Sequence, residues 1–296
     1  MRCFPVGADQ AIFSGMTAFF RHRSALFMPA SNPRAIAKAR TLPCDIVILD
    51  LEDAVAPDQK AQARTAARAA IADGGFGDRP VVLRVNALDT EWSFEDLDAA
   101  RTSGVDAVLV PKATPAALRD ARAALGPDGP PLWAMIETCG AMLDLRDIVR
   151  AAPTLNLTTL VAGTNDLAKD MRCRPDAART PLLPALAAIV TAARAGGLVA
   201  LDGVCNAIDD ADRLAAECRQ GADFGCDGKT LIHPAQIAAA NAAFAPDAAT
   251  LDWATRVVAA FDNPATANRG AIRLDGAMVE RLHLDEARRI LASATE

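Results

Sequence analysis

Eight short apolar runs punctuate the chain at intervals of about 23 to 40 residues, and alanine- and arginine-rich stretches fill the gaps. The runs are SALFMP (24–29), DIVILDLE (45–52), VVLRVN (81–86), DAVLVPK (106–112), LWAMIE (132–137), TTLVAG (158–163), GLVALDG (197–203) and DFGCDGK (223–229). Most are continuously apolar rather than alternating, as strands covered on both faces by helices are. Stretches such as 58–72, 115–124, 183–195 and 209–220 are long enough for crossover helices, and 66 alanines favour helix. Eight strands with eight crossovers fit a (β/α)8 TIM barrel, an α/β fold. An open doubly wound sheet usually brings a glycine-rich first turn, and neither G-x-G-x-x-G nor G-x-x-x-x-G-K-[ST] occurs.

The eight units organise the remainder. Residues 1–22 read as a leader with no signal-peptide pattern, 23–261 as the barrel domain, and 262–296 as an extension expected to cap a barrel mouth. Within 23–261, two helices (234–245 and 250–261) follow the last run. No run of 18 apolar residues appears, which argues against a membrane partner. A net charge of −6 with no Lys/Arg block or zinc-finger spacing argues against nucleic acid. Seven scattered cysteines without a C-x-x-C pair suit reduced thiols, and hence a cytoplasmic location.

Active sites of such barrels lie at the C-terminal strand ends and the loops that follow. Those positions carry Glu52 and Asp53, Arg84 and Asn86, Lys112, Glu137, Asn165 and Asp166, Asp202, and Asp227 with Lys229. Glu137 and Asp166 end neighbouring strands, which run about 5 Å apart. Two carboxylates without a Cys/His cluster suit a hard divalent cation, Mg2+ or Mn2+. A paired-carboxylate glycosidase is the rival, but the chain has no Tyr and three Trp with which to line a sugar groove. Lys112 and Lys229, two of only five lysines, could serve a Schiff-base aldolase or hold an anionic substrate. No G-x-S-x-G elbow exists, and Cys139 has no nearby His in sequence to activate it.

These stretches resemble a known family. LDLEDAV, LRVN, VLVPKA, MIETCGA, VAGTNDLAKD and GKTLIHPAQI, in this order within residues 23–290, are similar to the citrate lyase beta-subunit and malyl-CoA lyase group of HpcH/HpaI-type barrel aldolases. The resemblance implies Glu137 and Asp166 as Mg2+ ligands, and Arg84 as the residue that grips a substrate carboxylate or polarises a carbonyl. It implies Glu52 and Asp53 as an acidic pair ordering the site, Lys112 as a holder of the anionic network, and Arg34 and Lys38 as partners of CoA phosphates. Glu280, in Met278-Val279-Glu280, stands where longer relatives carry an acid–base Asp delivered to a neighbouring subunit. Pro29-Ala30 replaces the family's Pro-Gly.

The implied reaction is Mg2+-dependent cleavage or formation of a carbon–carbon bond in a 3-hydroxy dicarboxylic acyl-CoA such as malyl-CoA or citramalyl-CoA, giving acetyl-CoA and a 2-oxo acid. The alternatives are a citrate lyase beta subunit acting on a citryl-loaded acyl carrier protein, a malyl-CoA thioesterase, and a non-catalytic barrel scaffold. The resemblance also implies a homotrimer or a multiple of one.

Overall fold

The computed structural model describes residues 21–263 and 269–294. Eight parallel strands close into a barrel in sequence order: β1 Ser24–Pro29, β2 Ile46–Asp50, β3 Val81–Arg84, β4 Ala107–Val110, β5 Leu132–Ile136, β6 Leu157–Ala162, β7 Val199–Asp202 and β8 Gly228–Leu231. All eight strands fall within or overlap the expected runs, the eighth by Gly228 and Lys229 alone. The eighth begins at Gly228, five residues later than expected. Asp223 ends helix Ala211–Asp223, and Gly225 turns the chain at φ 89°, so DFGCD belongs to a helix end and a turn.

The pleat sorts the strand residues into two layers. Ala25, Phe27, Ile46, Ile48, Val82, Leu109, Trp133, Met135, Val161 and Leu201 fill the barrel interior. Their neighbours Leu26, Val47, Leu49, Leu83, Val108, Leu132 and Leu160 pack against the helices. Continuing the inward parity of each strand leads to Asp50, Arg84, Glu137 and Gly163 at the mouth. The same parity turns Asp202 and Lys229 outward into the helix layer. Both are fully buried there and pair at 2.8 Å, with Arg179 on Asp202 and Glu217 on Lys229. Lys229 is therefore structural rather than a lysine of the mouth. Asp227 precedes β8 and pairs with Arg194 at the opposite end of the barrel, so it leaves the site too.

Helix Ala248–Asp262, a hairpin (β9 Ala271–Leu274, β10 Ala277–Glu280) and helix Arg281–Ala294 share a separate apolar core of Val257, Phe261, Ile272, Val279, Leu284 and Ile290. The extension thus begins at 248, and the expected boundary at 261/262 falls in its first helix. Asp275 (φ 50°) and Gly276 (φ 84°) make the two-residue turn that suits the twist of paired strands. Glu286 first and Asp227 further off hold the Arg289 guanidinium above its ordinary pKa, although burial opposes this. The expected leader lies outside the described residues up to position 20, as do 264–268 of the connector. The six described cysteines are free thiols, and no described helix is long and apolar enough to cross a membrane.

Candidate active site

A cavity of about 290 Å3 opens at the C-terminal mouth, lined by Asp50, Asp53, Arg84, Glu137 and Asp166 among others. Glu137 follows β5 and is 2% exposed. Its Oε1 accepts the Lys112 backbone N–H at 2.6 Å. Lys112 takes a left-handed backbone (φ 46°), which aims that N–H at Glu137 while its side chain reaches Glu52 at 2.9 Å. Gly163 lies beneath the Glu137 side chain. A Cβ there would stand 2.3 Å from Glu137 Cβ and 2.7 Å from Oε2, so only glycine admits this carboxylate. Asp166 enters the cavity from the first turn of helix Thr164–Asp170, after β6.

Burial pushes Glu137 up to about 7, with Glu52 and Asp166 adding to the rise and the Lys112 N–H and Arg84 opposing it. A buried carboxylate facing a second carboxylate across a cavity is in want of positive charge. A divalent cation supplies it, and an all-oxygen pair suits Mg2+, which keeps several waters. Among the described residues, no group of three or more His, Cys, Asp and Glu is arranged to hold a metal. Two protein carboxylates with water or substrate completing the shell fit that arrangement.

Arg84 is 6% exposed, and its fork is taken by a partner the sequence reading missed. Nε and Nη2 each donate to Asp50 at 2.6 Å. Nη1 meets Glu52 Oε2 at 2.9 Å and Asp53 Oδ2 at 3.4 Å, and the guanidinium lies 4.7 Å from the centre of the Phe27 ring. Arg84 therefore presents one nitrogen to the cavity rather than a free two-pronged clamp. Burial opposes its charge, but Asp50 and then Glu52 outweigh it and hold its pKa above the ordinary value. Burial also raises Glu52, against the lowering effect of Arg84 and Lys112. Asp53 is the exposed member of the acidic group.

A second polar knot supports the loop that carries Glu52. Lys60, absent from the expected set, is buried and donates to Leu51 O, Glu52 O and Asn86 Oδ1 at 2.6–2.8 Å. Asn86 donates in turn to Leu51 O and Asp96. Asn86 is thus a strut of the site. A neighbouring cavity of about 300 Å3, lined by Asp53, Lys60, Trp92 and Lys112, adjoins the first through Asp53.

Other expected residues lie apart. Arg34 and Lys38 are exposed, one turn apart on helix Pro33–Ala39 after β1, and line neither cavity. Asn165, by contrast, lines the first cavity beside Asp166, and its exposed amide pairs with Asn206. Glu280 ends the hairpin of the extension and lines neither cavity, with its backbone N–H on His283. Ala30 adopts no positive φ, so this loop turns without needing a glycine.

Comparison with known proteins identifies the family. Residues 23–234 match the family model described as HpcH/HpaI aldolase/citrate lyase. The chain is 47% identical over 274 residues to a (3S)-malyl-CoA thioesterase of Cereibacter sphaeroides, covering 92% of this chain and 94% of the relative. It is 32% identical over 282 residues to citrate lyase subunit beta of Escherichia coli, covering 92% and 93%. Among solved structures, CitE of Mycobacterium tuberculosis in complex with magnesium, acetoacetate and coenzyme A is similar, with a TM-score of 0.72, 33% identity, and coverage of 92% of this chain and 98% of that one. The chain belongs to the HpcH/HpaI aldolase/citrate lyase family.

Proposed function

We propose that this chain is a Mg2+-dependent hydrolase of a 3-hydroxy dicarboxylic acyl-CoA of the malyl-CoA type, releasing the free diacid and CoA. One observation carries the choice: its 47% identity to a (3S)-malyl-CoA thioesterase across nearly the whole of both chains. That similarity moves hydrolysis ahead of the carbon–carbon cleavage expected from sequence. Cleavage to acetyl-CoA and a 2-oxo acid is the second reading, favoured by the same carboxylate pair and by the similarity to CitE with its magnesium, acetoacetate and coenzyme A.

Glu137 and Asp166 would hold the cation. When bound, it neutralises the carboxylate end of the substrate and stabilises negative charge on oxygen. Lys112 N–H and the floor provided by Gly163 fix Glu137 for that task. Arg84 Nη1 would face the other flank, with the Lys112 ammonium behind it on the shared Glu52, where a thioester oxyanion would form. Asp50 keeps the Arg84 plane from rotating. Hydrolysis needs a base for water. Of this chain's own cavity carboxylates, Asp53 is the one neither locked by two donors nor buried behind a cation. Glu280 would serve only if delivered by a second copy.

The experiment measures thiol release from a panel of CoA thioesters with Mg2+. Hydroxylated diacyl-CoA esters are expected to react and acetyl-CoA to remain intact. Equal release from both would overturn the assignment of the metal flank to the diacid end.

CoA recognition is expected to involve Arg34 and Lys38. Replacing either by Ala should raise KM up to about tenfold while leaving kcat nearly unchanged, as lost uniform binding does. Unchanged KM in both would place the phosphates elsewhere. If only a citryl-loaded carrier protein reacts, the citrate lyase subunit reading replaces this one.

Exposed apolar side chains on the extension and near the mouth support an assembly of copies. Met278 and Leu282 are exposed on it, and Leu143, Met171, Ile208 and Ile232 are exposed in segments that follow strands at the mouth. We expect a trimer, or a multiple of it, in which the extension of one copy covers the mouth of the next. Truncation before Ala248 removes the whole satellite core, and should leave a folded monomeric barrel with little activity. Light scattering and circular dichroism check this, and a fully active monomer would contradict it.

A further inference from the structure

The cavity is polar on two flanks and apolar on the third. β2 and β3 present Asp50, Asp53 and Arg84, and the ends of β5 and β6 present Glu137 and Asp166. The segments from β7, β8 and β1 contribute Val204, Ile232 and Phe27 alone, because their ionisable residues Asp202 and Lys229 face outward. Ile232 is 37% exposed and Val204 is half-buried, so both keep apolar surface open to an occupant.

One side chain clasps the two loops that carry this wall. Gln236 is fully buried. Its Oε1 accepts the N–H of Ile232 at 3.0 Å and of His233 at 3.2 Å, and its Nε2 donates to Cys205 O at 2.9 Å. The amide thus binds Ile232 itself and the carbonyl of Cys205, the residue after Val204, with its oxygen and nitrogen each matched to the partners they require. The base of the β7 loop is fixed separately, by the Gly203 N–H on Asp202 Oδ1 at 2.8 Å and by Thr230 Oγ1 donating to Asp202 O at 3.1 Å. With the loop base anchored there, the Gln236 amide sets the spacing between Val204 and Ile232.

We propose that Val204 and Ile232 form the surface that discriminates alkyl substituents on the hydroxy-diacid substrate, and that Gln236 is the positioning residue that sets their spacing. This deepens the proposed function and rests on it for the identity of the substrate. An apolar wall cannot recognise a charged end, and its one means of selection is the fit of carbon against carbon. A single methyl in such a pocket discriminates by about 10- to 200-fold.

The test pairs turnover with binding. Malyl-CoA and its methyl-substituted congener are compared in kcat/KM. Free malate and 2-methylmalate are titrated calorimetrically against the Mg2+-loaded protein. Val204→Ala should change both methyl/unsubstituted ratios by roughly tenfold. Gln236→Leu, which keeps bulk and loses all three hydrogen bonds, should shift them in a folded protein, as should the milder Gln236→Asn. A wild-type protein that turns over neither thioester sinks the functional reading, and the diacid binding ratios then judge the wall by themselves. Ratios unchanged in Val204→Ala overturn the wall. Ratios unchanged in a folded Gln236 variant, or failure of both Gln236 variants to fold, overturn the positioning role.

Discussion

Treatment with EDTA is expected to abolish turnover, and added Mg2+ or Mn2+ to restore it. Glu137→Gln and Asp166→Asn should each lower the rate by at least about 10²-fold, because charge stabilisation at the reacting oxygen is the largest contribution such a site makes. Glu137→Gln keeps the acceptor for the Lys112 N–H and removes the charge, so the fold should persist. Gly163→Ala reaches the same end by another route, since its Cβ would displace Glu137 from its seat. It should weaken Mg2+ binding measured by calorimetry without altering any candidate ligand. Full activity in metal-stripped protein would remove the metal from the account.

Arg84→Lys is expected to cause the second large loss, again about 10²-fold or more in kcat. Lysine retains the charge but offers Asp50 one ammonium in place of two parallel donors, and cannot also reach Glu52 and Asp53. Arg84→Ala leaves Asp50 buried and unpaired, a penalty of about 3–5 kcal/mol that should show as a clear fall in melting temperature. The lysine variant separates catalysis from folding: it should melt near the wild type and turn over poorly. Normal kinetics in that variant would make Arg84 structural.

The barrel was legible because burial on both faces writes strands as apolar runs, and eight such runs admit few folds. β8 was misplaced because GKTL carries one apolar residue, and its burial rests on the Lys229–Asp202 ion pair. Pairing of that kind crosses 27 residues and leaves no local pattern. The location of Glu137, Asp166, Arg84 and Lys112 beside the cavities was legible because charge interrupts apolar runs at the mouth. Asp50 was overlooked in favour of Glu52 and Asp53, yet strict alternation from Ile46 and Ile48 points to it. The same rule applied to Leu201 and Asp202 would have turned Asp202 outward. Lys60, Gly163 and Gln236 act on residues brought close only by barrel closure or loop packing, and nothing in their neighbourhoods in sequence marks them. The placement of the extension was equally hidden. Helix Ala248–Asp262 reads as one more barrel helix, and only its shared core with the hairpin shows where it belongs.

Attack by water on the thioester, rather than cleavage of a carbon–carbon bond, is the reaction proposed for this site. The direct measurement incubates purified protein with (3S)-malyl-CoA and Mg2+ and quantifies free thiol and 2-oxo acid in the same sample. Hydrolysis predicts one thiol and one malate per substrate consumed, with no glyoxylate. Stoichiometric glyoxylate with acetyl-CoA retained would contradict it and establish the lyase.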